Sequence, residues 1–473
     1  MTSHRLFLSS GAVVAIGLAV ELGAQFARTV LLARVLGAEE FGIVAAIYAV
    51  YAIVEMAGFI GLERYIVYSA RGGDSHVLDA SHTLAVARGV LSALVLVIFA
   101  APAASLIGEA QYVDSFIWVA AVPFLRGFLH LGVTQMQREG TFWRGSVAEA
   151  GGALIGLAVA AIAARLLHDH RAGVWALVAQ QVAAVAASHV LAWSRKYRFS
   201  FDRAPIAEAL RFGLPLTVNG LAVAIATQVD RLVVGAWLGV ETLGLYSLTI
   251  SVVLQPLSLV FRLVTTLVQP HLSQAWHEDP SGRFRAQARR VVFGSGLMGL
   301  VYAGGIVCLG APVMHFVFGA RYVFSDSVFA LYGAAVLLRF VRNGLSLFGL
   351  AIGRTSGLMV SNLAGAFGLL AGLAALYVRP TIEAAIFGIV VGDVISFFVL
   401  ESSIHAYVEK QGRPVLTTLA AASAPPAILA VLMLAVNPDL PLRIAATVLI
   451  AALAAIALMR FVGSAAGLSR KAA

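Results

Sequence analysis

Arginines stand inside long apolar runs at Arg28, Arg88, Arg126, Arg262, Arg339 and Arg342. A charge at mid-membrane costs roughly 2.5 kcal/mol or more, so such residues face a bundle interior or a wet cavity. Their polar neighbours fall at helical spacing. Glu21, Gln25 and Arg28 follow i, i+4, i+7, and Ser251, Gln255, Ser258 and Arg262 make a second stripe. Arg126, His130 and Thr134 make a third, and Arg339, Arg342, Asn343 and Ser346 a fourth. If these faces line one shared cavity it is cationic, and its chemistry is anion recognition. A planar guanidinium donates two parallel hydrogen bonds to a phosphate and stays charged when partly desolvated. The competing reading gives each arginine a structural carboxylate, from Glu21, Glu55, Glu149 or Asp230, or lets it reach the interface. That applies most to Arg88 and Arg262, near the ends of their runs.

Asp230-Arg231 has the adjacent-charge pattern of a lobe-stabilising pair. A carboxylate in an apolar helix can also take up and release a proton or sodium ion during transport, and Glu21, Glu55 and Asp393 are the other candidates for such coupling. No organic cofactor is called for. His168-Asp169-His170 has the composition of a metal site but sits in a short link beside Arg165 and Arg171, so it reads as a solvated loop and no metal is expected. The single cysteine, Cys308, excludes a disulfide framework and a cysteine metal site. No P-loop, dinucleotide fingerprint or nucleophile elbow occurs, which argues against an enzyme.

The elements that must position these groups follow from composition. Only 12% of the 473 residues are charged and 60% are hydrophobic, whereas a soluble domain carries about a quarter charged residues and needs them for its surface. Lipid cannot satisfy backbone N–H and C=O groups, so apolar segments of about 20 residues cross as helices and the fold is all-α. Apolar runs lie near 7–34, 41–66, 83–108, 112–137, 145–168, 172–193, 207–238, 241–269, 288–318, 327–352, 355–378, 381–407, 415–436 and 440–462, about fourteen spans in all. The first is too long and too polar at its far end for a cleaved signal, and reads as a retained helix. Basic residues collect in alternate links, including Arg71, Arg138, Arg144, Arg195, Lys196 and Arg198. The positive-inside rule therefore puts both termini in the cytoplasm, and it accounts for the net charge of +9 without nucleic acid.

An internal repeat organises the spans. Leu36-Gly37-Ala38-Glu39-Glu40-Phe41-Gly42 joins the first two, and Leu238-Gly239-Val240-Glu241-Thr242-Leu243-Gly244 joins the seventh and eighth. Phe124-Leu125-Arg126 matches Leu337-Leu338-Arg339, and the same register sets Gly140 opposite Gly353 and Glu149 opposite Asn362. Six spans separate the copies, an even number, so the halves share one orientation and relate by an axis along the membrane normal. The expected organisation is an N-lobe over 1–193, a linker at 194–206, a C-lobe over 207–408, and two further helices with a tail over 409–473. The lobes are pseudo-symmetric, with six helices each.

The stretch Phe212-Gly213-Leu214-Pro215-Leu216, then Gln228-Val229-Asp230-Arg231-Leu232-Val233-Val234-Gly235, Leu238-Gly239 and Gly244-Leu245-Tyr246-Ser247, resembles the second-half signature of the polysaccharide-biosynthesis flippases. Ile352-Gly353-Arg354-Thr355 with Asn362-Leu363-Ala364-Gly365 is similar to a later link of that family, which belongs to the multidrug/oligosaccharidyl-lipid/polysaccharide exporter superfamily. The resemblance implies a monomeric inner-membrane protein that carries an undecaprenyl-diphosphate-linked oligosaccharide outward by alternating access, in company with polymerase machinery. Fourteen spans, where many members have twelve, look more like the lipid II flippases. The runner-up is a cation-coupled multidrug exporter, against which the central arginines count. A membrane glycosyltransferase or polymerase is the third reading, and the short outward links disfavour it.

Overall fold

The computed structural model describes residues 2–279, 282–319, 322–408, 441–448 and 450–452. Its helices are α1 (Thr2–Leu36), α2 (Ala38–Ala57), α3 (Leu62–Tyr68), α4 (Ser75–Leu106), α5 (Val113–Trp118), α6 (Ala121–Arg126), α7 (Gly132–Arg138) and α8 (Trp143–Leu167). They continue as α9 (Arg171–Leu191), α10 (Arg203–Leu238), α11 (Val240–Glu278), α12 (Arg283–Phe318), α13 (Asp326–Ala351), α14 (Thr355–Gly365), α15 (Gly368–Val378) and α16 (Ile382–Val408). No strand occurs among the described residues. Eleven segments are long and apolar enough to cross a membrane, with α2 and α3 counted as one and α14 and α15 as another. This is a polytopic all-α membrane protein. The expected span at 415–436 lies outside the described residues, and that at 440–462 is represented by the short helix Pro441–Ala452.

The fourth expected span departs from a single helix: residues 113–138 form α5, α6 and α7 in succession. Pro123 lacks a backbone donor. After α6 the ladder tightens to three-residue bonds, Phe128 N–H to Leu125 O at 2.9 Å and Leu129 N–H to Arg126 O at 3.1 Å. The four-residue stripe of Arg126, His130 and Thr134 therefore does not survive as one face. Arg126 ends α6, while His130 lies in the turn beyond it.

Packing divides the chain into two compact units, residues 1–248 and 249–473. The first includes α10, which lies on α2 and α3. The break between those two helices presents the carbonyls of Phe59 and Ile60 to α10, where Thr217 Oγ1 donates to Phe59 O at 3.1 Å and Gly213 leaves room for the Ile60 backbone. Elsewhere in this unit Gly152 and Gly156 of α8 take the backbone of α9 closely. A methyl on either would come within 2.9 Å of the carbonyl of Gln180 or Ala176. The second unit uses the same device between α15 and α16, where Gly368 and Gly372 meet Gly388 and Gly392 backbone to backbone. Its core is filled by Leu272, Phe284, Val341, Phe348, Phe397 and Leu400.

The internal repeat is legible in the backbone. Gly37 before α2 has φ 93° and ψ 177°, and Gly239 before α11 has φ 83° and ψ 167°, a conformation open to glycine and costly for other residues. The register-related pair Gly140 and Gly353 shares a positive φ, and so do Gly108 and Gly319, which follow α4 and α12 two positions off that register. The two Leu-Gly-x-Glu links also touch. Gly42 packs on the Val240 carbonyl, Gly244 packs on the Ala38 carbonyl, and each glycine faces the other's amide nitrogen. A reciprocal contact of this kind is what a two-fold relation produces. It also puts both links at the same end of their helices. Replacing Gly42 by Ala would drive a methyl into the Val240 carbonyl. The variant should lose about 1–3 kcal/mol as overpacking does, seen as a lower melting temperature in detergent, while Gly23→Ala, which meets nothing within 4 Å, leaves it unchanged.

Candidate functional site

In the first unit the polar residues converge from six helices. Glu55 of α2 lies between two guanidiniums: Arg88 Nη2 of α4 is 3.0 Å from its Oε1 and Arg126 Nε of α6 is 3.5 Å from the same atom. Arg126 reaches on to Glu149 of α8 at 3.6 Å, and its Nη1 donates to Gln181 Oε1 of α9 at 3.5 Å. Two carboxylates therefore offset two arginines. Arg28 of α1 is different. It is 6% exposed, donates to the neutral Gln180 side chain, and stands 5.8 Å from the Tyr48 ring, a cation–π distance. Gly156 leaves the space in which its Nη1 lies. No ion pair to Arg28 is present among the described residues, so the cluster keeps one positive charge. On the same helix, Glu21 accepts from Gln25 at 3.2 Å.

In the second unit Arg339 of α13 donates through Nε to Asp393 Oδ2 of α16 at 2.8 Å, with Asp393 8% exposed. One turn on, Arg342 donates to Asn362 Oδ1 and, at 3.3 Å, to Ser361 Oγ of α14. Ser361 is fixed by reciprocal bonds with Ser396, its hydroxyl to Ser396 O at 2.6 Å and the Ser396 hydroxyl to Ser361 O at 2.9 Å. Arg342 has no ion pair among the described residues. Across the repeat, the position of Glu149 is taken by Asn362, and an amide accepts a hydrogen bond without cancelling charge. Each unit thus holds ion-paired arginines together with one whose partners are neutral.

The other candidates are placed differently. Arg262 is exposed on α11, with no side-chain ion pair among the described residues. Its neighbour Phe261 meets Phe340 edge to face, with ring centroids 5.0 Å apart. Asp230 and Arg231 do not pair with one another: Asp230 Oδ2 accepts from the Tyr246 hydroxyl at 2.6 Å, while Asp230 Oδ1 and Arg231 Nε are buried without hydrogen-bond partners. His170, read from sequence as part of a solvated loop, is 4% exposed. Its Nδ1 lies 2.8 Å from Glu40 Oε2 and its Nε2 2.9 Å from Ser115 Oγ, so it ties the start of α9 to α2 and α5. In the nearby link, burial, with Glu39 and Glu40 beside it, raises the Glu109 carboxyl above its usual range.

Sequence reasoning missed Gln180 and Gln181, although an adjacent amide pair inside an apolar run was the available signal. It also missed a cluster of His82, His130, His189 and Tyr197. His130 stands 5.0 Å from His82 and 5.2 Å from His189, ring to ring. His82 Nδ1 and His130 Nε2 lie 3.2 and 3.3 Å from the carbonyls of Arg198 and Arg195, which pins the 194–202 link to the first unit. These histidines are 48 and 59 residues apart in the chain, and no spacing rule joins them.

A family model described as polysaccharide biosynthesis protein matches residues 31–326, more than half of the chain. The chain belongs to this family. Among similar proteins is the succinoglycan biosynthesis transport protein ExoT of Rhizobium meliloti, 27% identical over 65% of this chain and 62% of that protein. The chain therefore matches less than two thirds of that relative's length. Similar solved structures include the lipid II flippase MurJ in an inward closed conformation, with a TM-score of 0.71 at 12% identity over 95% of this chain and 99% of that one. An inward-facing multidrug resistance MATE transporter of the MOP superfamily has a TM-score of 0.61 at 15% identity over 88% and 99%. At such identities the likeness is one of fold, and this member of the family has the fold of those transporters.

The ion pairs make a prediction of their own. Asp393→Asn removes the carboxylate from a pair in which Asp393 is 8% exposed, and losing one partner of a buried pair costs about 3–5 kcal/mol. Its membrane abundance and melting temperature should fall, and the double variant Arg339→Leu, Asp393→Leu should recover both. Equal losses in the single and double variants would show that the pair does not act as a pair.

Proposed function

We propose that this chain is a flippase that moves an undecaprenyl-diphosphate-linked oligosaccharide across the bacterial inner membrane for surface polysaccharide biosynthesis, by alternating access and with both termini cytoplasmic. The observation that carries the reading is that Arg28 and Arg342 are held by neutral side chains, Gln180 for one and Asn362 with Ser361 for the other. A cation fixed by amides and hydroxyls keeps its field for an anionic ligand, and the bidentate fork of arginine suits phosphate. The polysaccharide-biosynthesis family, and a Rhizobium relative whose name is that of a succinoglycan biosynthesis transport protein, support a lipid-linked glycan as the cargo.

The arginines in ion pairs have a second role in this reading. Arg126 and Arg339 are the repeat-related pair, and their carboxylate partners compete with a diphosphate for the same guanidiniums. Asp393 is the candidate for proton coupling, since protonating it would release Arg339 Nε to an incoming anion. Six-helix lobes over 1–193 and 207–408 are the rocking bodies, with the 194–206 segment as their link. A multidrug exporter, the runner-up, would take organic cations, which two cations without carboxylate partners repel.

The test is export in cells beside protein abundance in the membrane. Arg342→Ala and Arg28→Ala should each lower surface polymer about tenfold or more, the size of a lost charged hydrogen bond, at unchanged abundance. Arg342→Lys should recover part, because an ammonium is a point charge and cannot reproduce the fork. Normal export by an abundant Arg28→Ala, Arg342→Ala double variant would end the substrate-binding claim.

A further inference from the structure

The first unit contains a cavity that the arginine networks do not fill. It lies among α2, α4 and α10 and has a volume of about 860 Å³, in the upper part of the range usual for small-molecule sites. Its walls are aliphatic and aromatic, and Arg88, Ser92 and Thr217 are the polar residues among them. Leu91, Phe99, Leu106 and Leu214 on its rim are each more than half exposed, so the cavity is a trough open along the side that faces lipid.

Its length is the informative dimension. The α4 wall runs from Leu84 to Leu106 and the α10 wall from Leu210 to Leu232, each about 33 Å at the helical rise. The two helices start side by side, since Thr83 Oγ1 at the foot of α4 donates to Ser200 O in the link before α10 at 2.9 Å. The trough therefore extends over a distance equal to the whole hydrocarbon core, roughly 30 Å. Near its foot Arg88 belongs to both environments: it lines the trough and is bonded to Glu55, which bridges to Arg126.

We infer that this trough binds the isoprenoid chain of a polyprenyl phosphate or diphosphate, with the phosphate end toward Arg88. The inference rests on the lipid-linked reading above and adds where the lipid tail is held. Lipid tails are as apolar as the trough walls, so burial gives no preference for one occupant over another, and shape and charge decide. A phospholipid acyl chain reaches about half the core, roughly 15 Å, and would leave half of the trough unmatched. One polyprenyl chain long enough to enter both leaflets matches it throughout. At the one place where the trough meets the polar network, the phosphate end meets the Arg88 guanidinium, where it competes with Glu55 as a diphosphate competes with the carboxylates of the other paired arginines.

The test uses the full chain in nanodiscs of phosphatidylethanolamine and phosphatidylglycerol, with a polyprenyl phosphate carrying a photoreactive diazirine in its chain. Cross-links mapped by peptide mass spectrometry should fall on α4 between 91 and 106 and on α10 between 214 and 232. Unlabelled polyprenyl phosphate should compete and excess phosphatidylglycerol should not. Val95→Trp, which fills the middle of the trough, should cut labelling about tenfold. Leu91→Trp on the rim is the second variant, used if the first lowers the melting temperature. Labelling that is spread over other helices, that persists in both variants, or that phosphatidylglycerol displaces would overturn the inference. The two readings fail separately. If Arg342→Ala blocks export while the trough stays unlabelled, the headgroup reading stands and the trough falls. If the trough labels while the Arg28, Arg342 double variant exports normally, the trough stands and the headgroup reading falls.

Discussion

Hydrocarbon offers no hydrogen bonds, and the broken helices and the arginine networks of this protein are arranged around that fact. Backbone groups close within helices, and where a helix breaks, other groups supply the missing bonds. The gap between α2 and α3 is met by Thr217 of α10, and the turn after α6 closes on itself with three-residue bonds. Charges follow the same rule with a further condition. An arginine in the bundle can be neutralised by a carboxylate, as Arg88, Arg126 and Arg339 are, or it can be held by neutral oxygens and keep its charge. The second arrangement costs stability unless something gains from the field. That two residues, Arg28 and Arg342, are so held is why an anionic ligand is the reading that explains their retention.

The repeat shapes how the two arrangements are distributed. The Gly37 and Gly239 links have the same backbone conformation and pack on one another through Gly42 and Gly244. An even number of spans between copies makes this possible, because both links then sit at the same end. Within that symmetry single substitutions set the charge. Glu149 in one copy closes the Arg126 cluster, while Asn362 in the other accepts from Arg342 and leaves it cationic. A duplicated scaffold thus carries diverged polar positions, with a closed charge balance in one copy and an open one in the other.

Glycine and small residues do the work that the hydrophobic effect does in water. Between helices in lipid the attraction comes from close packing, and the α15–α16 and α8–α9 contacts bring backbone against backbone. Among α2, α4 and α10 the packing leaves a trough of about 860 Å³.

The sequence by itself determined the class of the molecule. A charged fraction of 12% cannot make a water-facing surface, and runs of about 20 apolar residues have no other stable form in a bilayer than helices. The two Leu-Gly-x-Glu links revealed the repeat because their glycines meet a backbone requirement that leaves a mark in the sequence. The arginines were also legible, since a charge inside an apolar run stands out against its neighbours. Glu55 and Glu149 stood among the candidate carboxylates, but which arginine each one meets was not legible. Whether Arg126 meets Glu149 or a ligand depends on residues brought together from α2, α6, α8 and α9, and pairing between helices has no spacing along the chain. For the same reason the break at 119–132, the burial of His170 and the three-histidine cluster emerged only in the tertiary structure: each depends on which helix faces which, and packing decides that.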